Sequence, residues 1–117
     1  MSNKTPTATN APTDQNIAPD PLTENDAAFF DTFDTLYGQT WGESAIPAKY
    51  KELAGVVLSI AIRCEPCLRH HVRMAVEHGA TKQEFVEAIR IAVLGAGSAT
   101  IPTARLTYTF LKELNII

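Results

Sequence analysis

The chain has 117 residues, of which 45% are hydrophobic, and this is enough apolar side chain for the core of one domain. Ten basic and thirteen acidic residues give a net charge of −3, which excludes a strongly basic surface and predicts no nucleic-acid partner. The longest nearly unbroken apolar run, residues 54–62, is too short to span a bilayer, and residues 1–22 lack the apolar stretch of a secretion signal, so we expect a soluble, cytoplasmic protein without a membrane partner.

Residues 1–22 are predicted to form a disordered N-terminal tail. Four of the seven prolines lie there, and Ile17 and Leu22 are its only large aliphatic side chains. Such a segment buries too little apolar surface to offset the entropy lost on ordering. The folded domain is therefore expected to cover residues 23–117.

The apolar spacing in residues 23–117 is helical throughout and predicts an all-α fold of about five helices. Glycines at 38, 79, 95 and 97 are expected to end helices, and Thr81 with Glu84 forms a capping-box pattern. The second helix is apolar on nearly all sides, which predicts a central, buried position. In chain order, the helices are expected to start near Thr23, Pro47, Cys64, Thr81 and Pro102.

Pro66 interrupts what would otherwise be one long helix over residues 52–78. Proline has no N–H for the carbonyl of Ile62, and it moves Glu65 away from helical angles. A break near residues 63–65 lets the chain fold back as an antiparallel helix hairpin. The midpoint between Glu52 and His71 falls between residues 61 and 62, close to that break, so we expect these two side chains to face each other.

The chemistry-bearing motif is "RCEPCLRHH", residues 63–71, which holds the only two cysteines. Cys64 and Cys67 have the spacing of a first helical turn, where unpaired N–H groups stabilise thiolates and a disulfide can close. Cys67 and His71 share a helix face one turn apart. One thiol could attack an oxidant or a disulfide while the other resolves the product, with His71 relaying the proton and Glu52 orienting His71.

Two other interpretations of these cysteines stay open from the residues alone. Cys64, Cys67 and His71 could bind zinc if Glu52 or His70 completed the site. The cysteines could also be inert core residues. His70 points about 100° away from His71 on the helix and is interpreted as a surface residue.

The stretch "PAKYKELAGVVLSIAIRCEPCLRHHVRMAVEHGATKQEFVEAIRIAVLGAG" resembles the alkylhydroperoxidase D-like branch of the carboxymuconolactone decarboxylase superfamily. The likeness covers roughly residues 29–112. It implies an all-helical fold with a redox-active cysteine pair at a helix N-terminus, assembled as a homo-oligomer, either trimer or hexamer.

The resemblance also implies residue roles and partners. Cys67 is the thiol that attacks peroxide, Cys64 the resolving thiol, and His71 with Glu52 the proton relay. The expected substrate is a peroxide or a disulfide, the electron donor a dithiol such as a dihydrolipoyl carrier, and no cofactor is predicted. Pro66 stands where the best-known peroxidase of this branch has a histidine. Another branch, which decarboxylates a lactone without needing the cysteines, gives the alternative of a lyase.

Overall fold

A computed structural model describes residues 20–117, and every regular element in that range is helical. The prediction of an all-α fold is confirmed, with six helices where about five were expected. Residues 1–19 of the predicted tail lie outside the described residues, so the tail stays a prediction. The elements are α1 (Pro21–Asn25), α2 (Ala27–Trp41), α3 (Ala48–Ile62), α4 (Glu65–Glu77), α5 (Lys82–Ala96), a 3-10 turn (Ser98–Thr100) and α6 (Ile101–Glu113).

The chain divides into two compact units between Gly42 and Glu43. The described part of the first unit consists of α1 and α2. The first predicted helix is therefore two helices, because Asp26 has a non-helical backbone, with φ −153° and ψ 57°. Asp20, rather than Thr23, caps α1: its carboxylate accepts a 3.0 Å hydrogen bond from the Leu22 N–H.

The expected end of this helical segment at Gly38 is also wrong. Helix α2 continues to Trp41, and the carbonyl of Gly38 accepts the N–H of Gly42 at 2.9 Å. A glycine inside a helix costs only about 1 kcal/mol, which the neighbouring turns can outweigh. No residue of α2 is buried.

The second unit is built around the antiparallel hairpin of α3 and α4. Helix α5 packs on α3, α6 packs on α4, and α5 and α6 also contact each other. This arrangement confirms the predicted central hairpin, and it buries one face of each helix in a shared core. The larger core side chains are Leu53, Val56, Ile60, Leu68, Val72, Phe85, Ile89, Phe110 and Leu111.

The break between α3 and α4 occurs at the predicted place. Arg63 ends α3 in the left-handed region at φ 57°, and the N–H of Cys64 bonds to the carbonyl of Ser59 at 3.0 Å. This is the Schellman arrangement that closes helix C-termini, and glycine is its usual residue. Pro66 then occupies the first turn of α4, where a missing N–H has no cost.

The start of α5 follows the predicted capping box. The Thr81 hydroxyl accepts the Glu84 N–H at 3.1 Å, and the Glu84 carboxylate accepts the Thr81 N–H at 2.9 Å. The far end of α5 is set by Gly97, whose φ of +93° suits glycine.

One outer face of α3 is open to solvent in the single chain, whereas the sequence predicted a central, buried helix. Leu58 is 58% exposed and Ile62 is 67% exposed, and Tyr50 and Ala54 continue the same row at four-residue spacing. The apolar pattern around α3 is therefore divided between a core face and this exposed row. Within residues 20–117, no helix combines the length and the apolar character needed to cross a membrane.

Candidate active site

The two cysteines form a disulfide at the start of α4. Cys64 is the N-cap residue and Cys67 lies in the first turn, with their Cα atoms 5.3 Å apart. The N–H of Cys67 donates to the sulfur of Cys64 at 3.3 Å. This N–H is one of the four that a helix start leaves without an internal acceptor, so after reduction of the disulfide it would stabilise a thiolate at Cys64.

Glu52 and His71 meet across the hairpin. The Glu52 carboxylate oxygen Oε1 lies 2.7 Å from His71 Nδ1, and the residues are 2% and 9% exposed. The expected pairing of Glu52 with His71 across the hairpin is therefore correct in its geometry. A carboxylate acceptor at Nδ1 fixes the proton of the neutral ring there, which makes Nε2 the basic atom.

His71 follows Cys67 by four residues in α4, so the imidazole lies about one helical turn, or ~6 Å, along the same helix face. Cys67 is half-buried, while Glu65 and Pro66 beside it are exposed. The cysteine pair is thus at the rim of the unit, and the Glu52–His71 pair lies beneath the surface.

Gly55 is a site residue that the sequence interpretation missed. It is buried in α3, and a Cβ built on it would lie 2.6 Å from Cγ and Nδ1 of the His71 ring. The absence of a side chain at Gly55 lets the His71 imidazole lie against the α3 backbone, within hydrogen-bond distance of Glu52. A glycine inside an otherwise apolar helix was the available signal, since such glycines often mark a close approach.

His70 is not the surface residue that helical spacing indicated. It is half-buried, and its ring makes an edge contact with His71, with centroids 5.1 Å apart. Burial lowers the pKa of His70 below 6.5, and the neighbouring His71 lowers it further, with Arg73 as a weaker cause. Glu52 opposes them. The neutral imidazole is the favoured form.

The remaining histidine, His78, is the exposed C-cap residue of α4. Its place at a helix C-terminus is the one expected from the sequence, where a histidine interacts favourably with the helix dipole.

Glu52, His70 and His71 also offer donor atoms that lie within 4.8 Å of one another, as a metal site would need. Two donors of one tetrahedral zinc ion stand about 3.4 Å apart. The 2.7 Å between Glu52 and His71 is a hydrogen-bond distance, so a proton lies between these two atoms. The zinc arrangement considered from the sequence needs both sulfurs as thiolates, so it requires the reduced form of the pair.

Comparison with known proteins gives a consistent assignment. The model of the carboxymuconolactone decarboxylase family matches residues 27–107. A crystal structure of a family member from Thermotoga maritima, with a suggested role in an antioxidative response, has 36% identity and a TM-score of 0.67, covering 80% of this chain and 92% of that one.

Two further relatives are either more distant in sequence or match over only part of their length. An apo family protein of Legionella pneumophila has a TM-score of 0.75 at 24% identity, covering 79% of this chain and 82% of that one, and it shows the fold alone. An uncharacterised protein of Cupriavidus necator is 32% identical over 68 residues, 56% of this chain, and the match spans only 60% of its length. From the family model and the T. maritima structure, the chain belongs to the carboxymuconolactone decarboxylase family.

Proposed function

We propose that this protein is a thiol-dependent peroxidase or disulfide oxidoreductase of the alkylhydroperoxidase D-like type. The observation that carries the proposal is the buried Glu52–His71 hydrogen bond one helical turn from a disulfide at the start of the same helix. A base held by a buried carboxylate is the usual means of activating a nucleophile. The antioxidative role suggested for the T. maritima relative agrees with this chemistry.

The proposed peroxidase cycle uses the two thiols as the source of two electrons. The Cys67 thiolate attacks one peroxide oxygen, the O–O bond breaks, and the leaving alkoxide takes a proton, which gives an alcohol and a sulfenic acid on Cys67. The Cys64 thiol gives up its proton and its sulfur attacks the Cys67 sulfur, and the sulfenic hydroxyl takes that proton and leaves as water while the disulfide forms. An external dithiol returns both electrons by thiol–disulfide exchange and becomes a disulfide itself.

His71 and Glu52 manage the protons in this cycle. Nε2 of His71 accepts the Cys67 thiol proton and later gives it to the leaving alkoxide. Glu52 is a positioning residue that holds the ring and stabilises the imidazolium that forms. Because both residues are shielded from water, the charges interact more strongly than they would at the surface.

The environment of the cysteines supports different roles for them. Cys67 shares its helix face with His71, which suits the attacking thiol. The Cys64 sulfur accepts the Cys67 N–H, so a thiolate there is stabilised and ready to resolve the sulfenic acid. Pro66 between the cysteines is exposed and has no titratable group, so Glu52 and His71 would supply the proton transfer.

The test is peroxide consumption by the reduced protein with several dithiol donors, including a dihydrolipoyl compound. Cys67→Ser should abolish consumption, whereas Cys64→Ser should allow one oxidation and leave a sulfenic acid on Cys67. Dimedone labelling then identifies the oxidised residue by mass spectrometry. Label on Cys64 in Cys67→Ser, with none on Cys67 in Cys64→Ser, would reverse the two roles.

The same protein preparation separates the other candidate functions. Lactone decarboxylation that survives alkylation of both cysteines would identify a lyase. Stoichiometric zinc in the reduced protein with no turnover would identify a metal-binding module. Two thiols that remain labelled after mild peroxide would contradict any redox role for the pair.

A further inference from the structure

The Glu52–His71 pair raises the question of how its protons reach solvent. Both side chains are buried, and they belong to helices whose facing surfaces are packed together. A buried base that has taken a proton stays protonated until another group accepts it. Rapid exchange therefore needs a neighbouring titratable group that also reaches the surface.

His70 has the required position. It is the next residue of α4, its ring lies edge-on to that of His71, and it is half-buried rather than enclosed. Donor atoms of His70, His71 and Glu52 lie within 4.8 Å of one another. One water molecule can bridge polar atoms at such a separation. Proton transfer through a single water is within catalytic reach.

The charges around His70 favour an exchanging rather than a permanently charged imidazole. The groups that act on it are Glu52 from α3 and His71 and Arg73 from its own helix. On α6, which also packs on α4, the acid Glu113 is paired with Arg69 at 3.1 Å. A neutral His70 can accept a proton, and a protonated His70 beside another imidazolium would release it readily.

We propose that His70 is the proton-exchange residue of this site, carrying protons between the buried His71 imidazole and solvent through one water. This inference extends the proposed function, and a role of His70 in catalysis rests on that function. The exchange itself involves no change in oxidation state, so it also takes place in the disulfide form. It assigns to His70 a role that neither Glu52 nor His71 can fill from a buried position.

The experiment measures proton exchange between solvent and Nε2 of His71, the atom that takes up the transferred proton, by ¹⁵N NMR in the oxidised protein with no peroxide present. His70→Ala and His70→Gln should both slow the exchange, by roughly 10²-fold if His70 is an effective acid–base group. Added imidazole buffer should restore the rate in His70→Ala. His78→Ala is the matched control, because His78 lies at the exposed end of the same helix, and it should leave the rate unchanged.

Three results would overturn the inference. The first is an unchanged exchange rate in both His70 variants. The second is a slow rate in His70→Ala that His70→Gln restores, because a side chain without a basic nitrogen would then suffice and the role would be packing. The third is a slow rate that imidazole does not restore. A wild type that fails to consume peroxide would refute the proposed function but leave this exchange measurement unaffected.

Discussion

Gly55 of α3 and His71 of α4 are in direct contact, and the contact leaves no room for a side chain at position 55. An added Cβ would meet the Cγ and Nδ1 atoms of the imidazole at 2.6 Å, well inside the sum of the atomic radii. Glu52, one turn earlier in α3, binds that same Nδ1 atom. The place of the ring is therefore set both by a hydrogen bond and by a missing methyl group.

Gly55→Ala should displace the His71 ring and weaken its bond to Glu52. We expect a loss of about 1–3 kcal/mol in the free energy of unfolding, because overpacking outweighs the gain in helix propensity, together with slower thiol oxidation. Gly95→Ala is the control, since nothing lies within 4 Å of its added Cβ, and it should be neutral or stabilise by up to ~1 kcal/mol. Urea denaturation measures the free energy of unfolding of both variants. Equal stabilisation of the two would contradict the close contact between Gly55 and His71.

Glu52→Gln and His71→Ala should each slow reduction of peroxide by roughly 10²–10⁴-fold, because each removes part of one acid–base unit. The double variant should be little worse than the slower single variant, since groups that act together are not additive. Glu77→Gln, an exposed acid at the end of α4, is the control. Fully multiplicative losses in stopped-flow rates would mean that Glu52 and His71 act independently.

The pKa of His70 gives a pH dependence of stability. Burial, then the nearby His71, lowers this pKa below 6.5 in the folded protein. Between the lowered value and 6.5, the unfolded chain binds a proton that the folded chain does not. Stability therefore falls as the pH drops through that window. His70→Gln should reduce the difference in unfolding free energy between about pH 7.5 and about pH 5.

His78→Gln is the control for this pH measurement, because His78 is an exposed residue at the end of the same helix. Urea denaturation of the two variants and the wild type at both pH values gives the comparison. A pH difference in His70→Gln as large as that of the wild type would refute the assignment of this effect to His70.

The exposed row on α3 predicts self-association. Leu58 and Ile62 lie in the open with 58% and 67% of their surface exposed, and large apolar groups in such a row are typical of interfaces. We expect a homo-oligomer, trimer or hexamer, that covers this row and some of the aromatic side chains of α2. Deletion of residues 1–22 should leave the assembly unchanged.

Light scattering at micromolar concentration tests the assembly. Leu58→Glu with Ile62→Glu should give a smaller species, because two charges would have to be desolvated at the interface. Arg90→Glu, an exposed polar position on α5, is the comparison. A monomeric wild type would refute the prediction.

Arg63 is a non-glycine residue in the left-handed region, with φ 57° at the end of α3. Arg63→Gly should raise the free energy of unfolding by about 0.5–1 kcal/mol, because glycine adopts this conformation without the steric cost. Arg73→Gly, at an exposed position inside α4, should instead lower it by about 1 kcal/mol. Thermal denaturation that shows both variants destabilised to the same extent would contradict the strain at Arg63.

Features that depend on residue spacing along one helix or across one turn were predictable from the amino-acid sequence. Pro66 located the break. The midpoint between Glu52 and His71 lies close to that break, which predicted their pairing. Thr81 with Glu84 located the start of α5. These inferences succeed because helical geometry is fixed by the backbone, so residue spacing translates directly into direction and rise.

Which helix surfaces are buried became clear from the packing of the helices and not from the sequence. Helical spacing predicted that His70 points away from His71. In the packed unit His70 is half-buried, and its ring contacts the ring of His71. The apolar pattern of α3 did not reveal that Leu58 stays exposed or that Gly55 admits an imidazole. Burial depends on how closely two helices approach and which residues meet where they cross, and these are properties of the pair of helices rather than of either sequence.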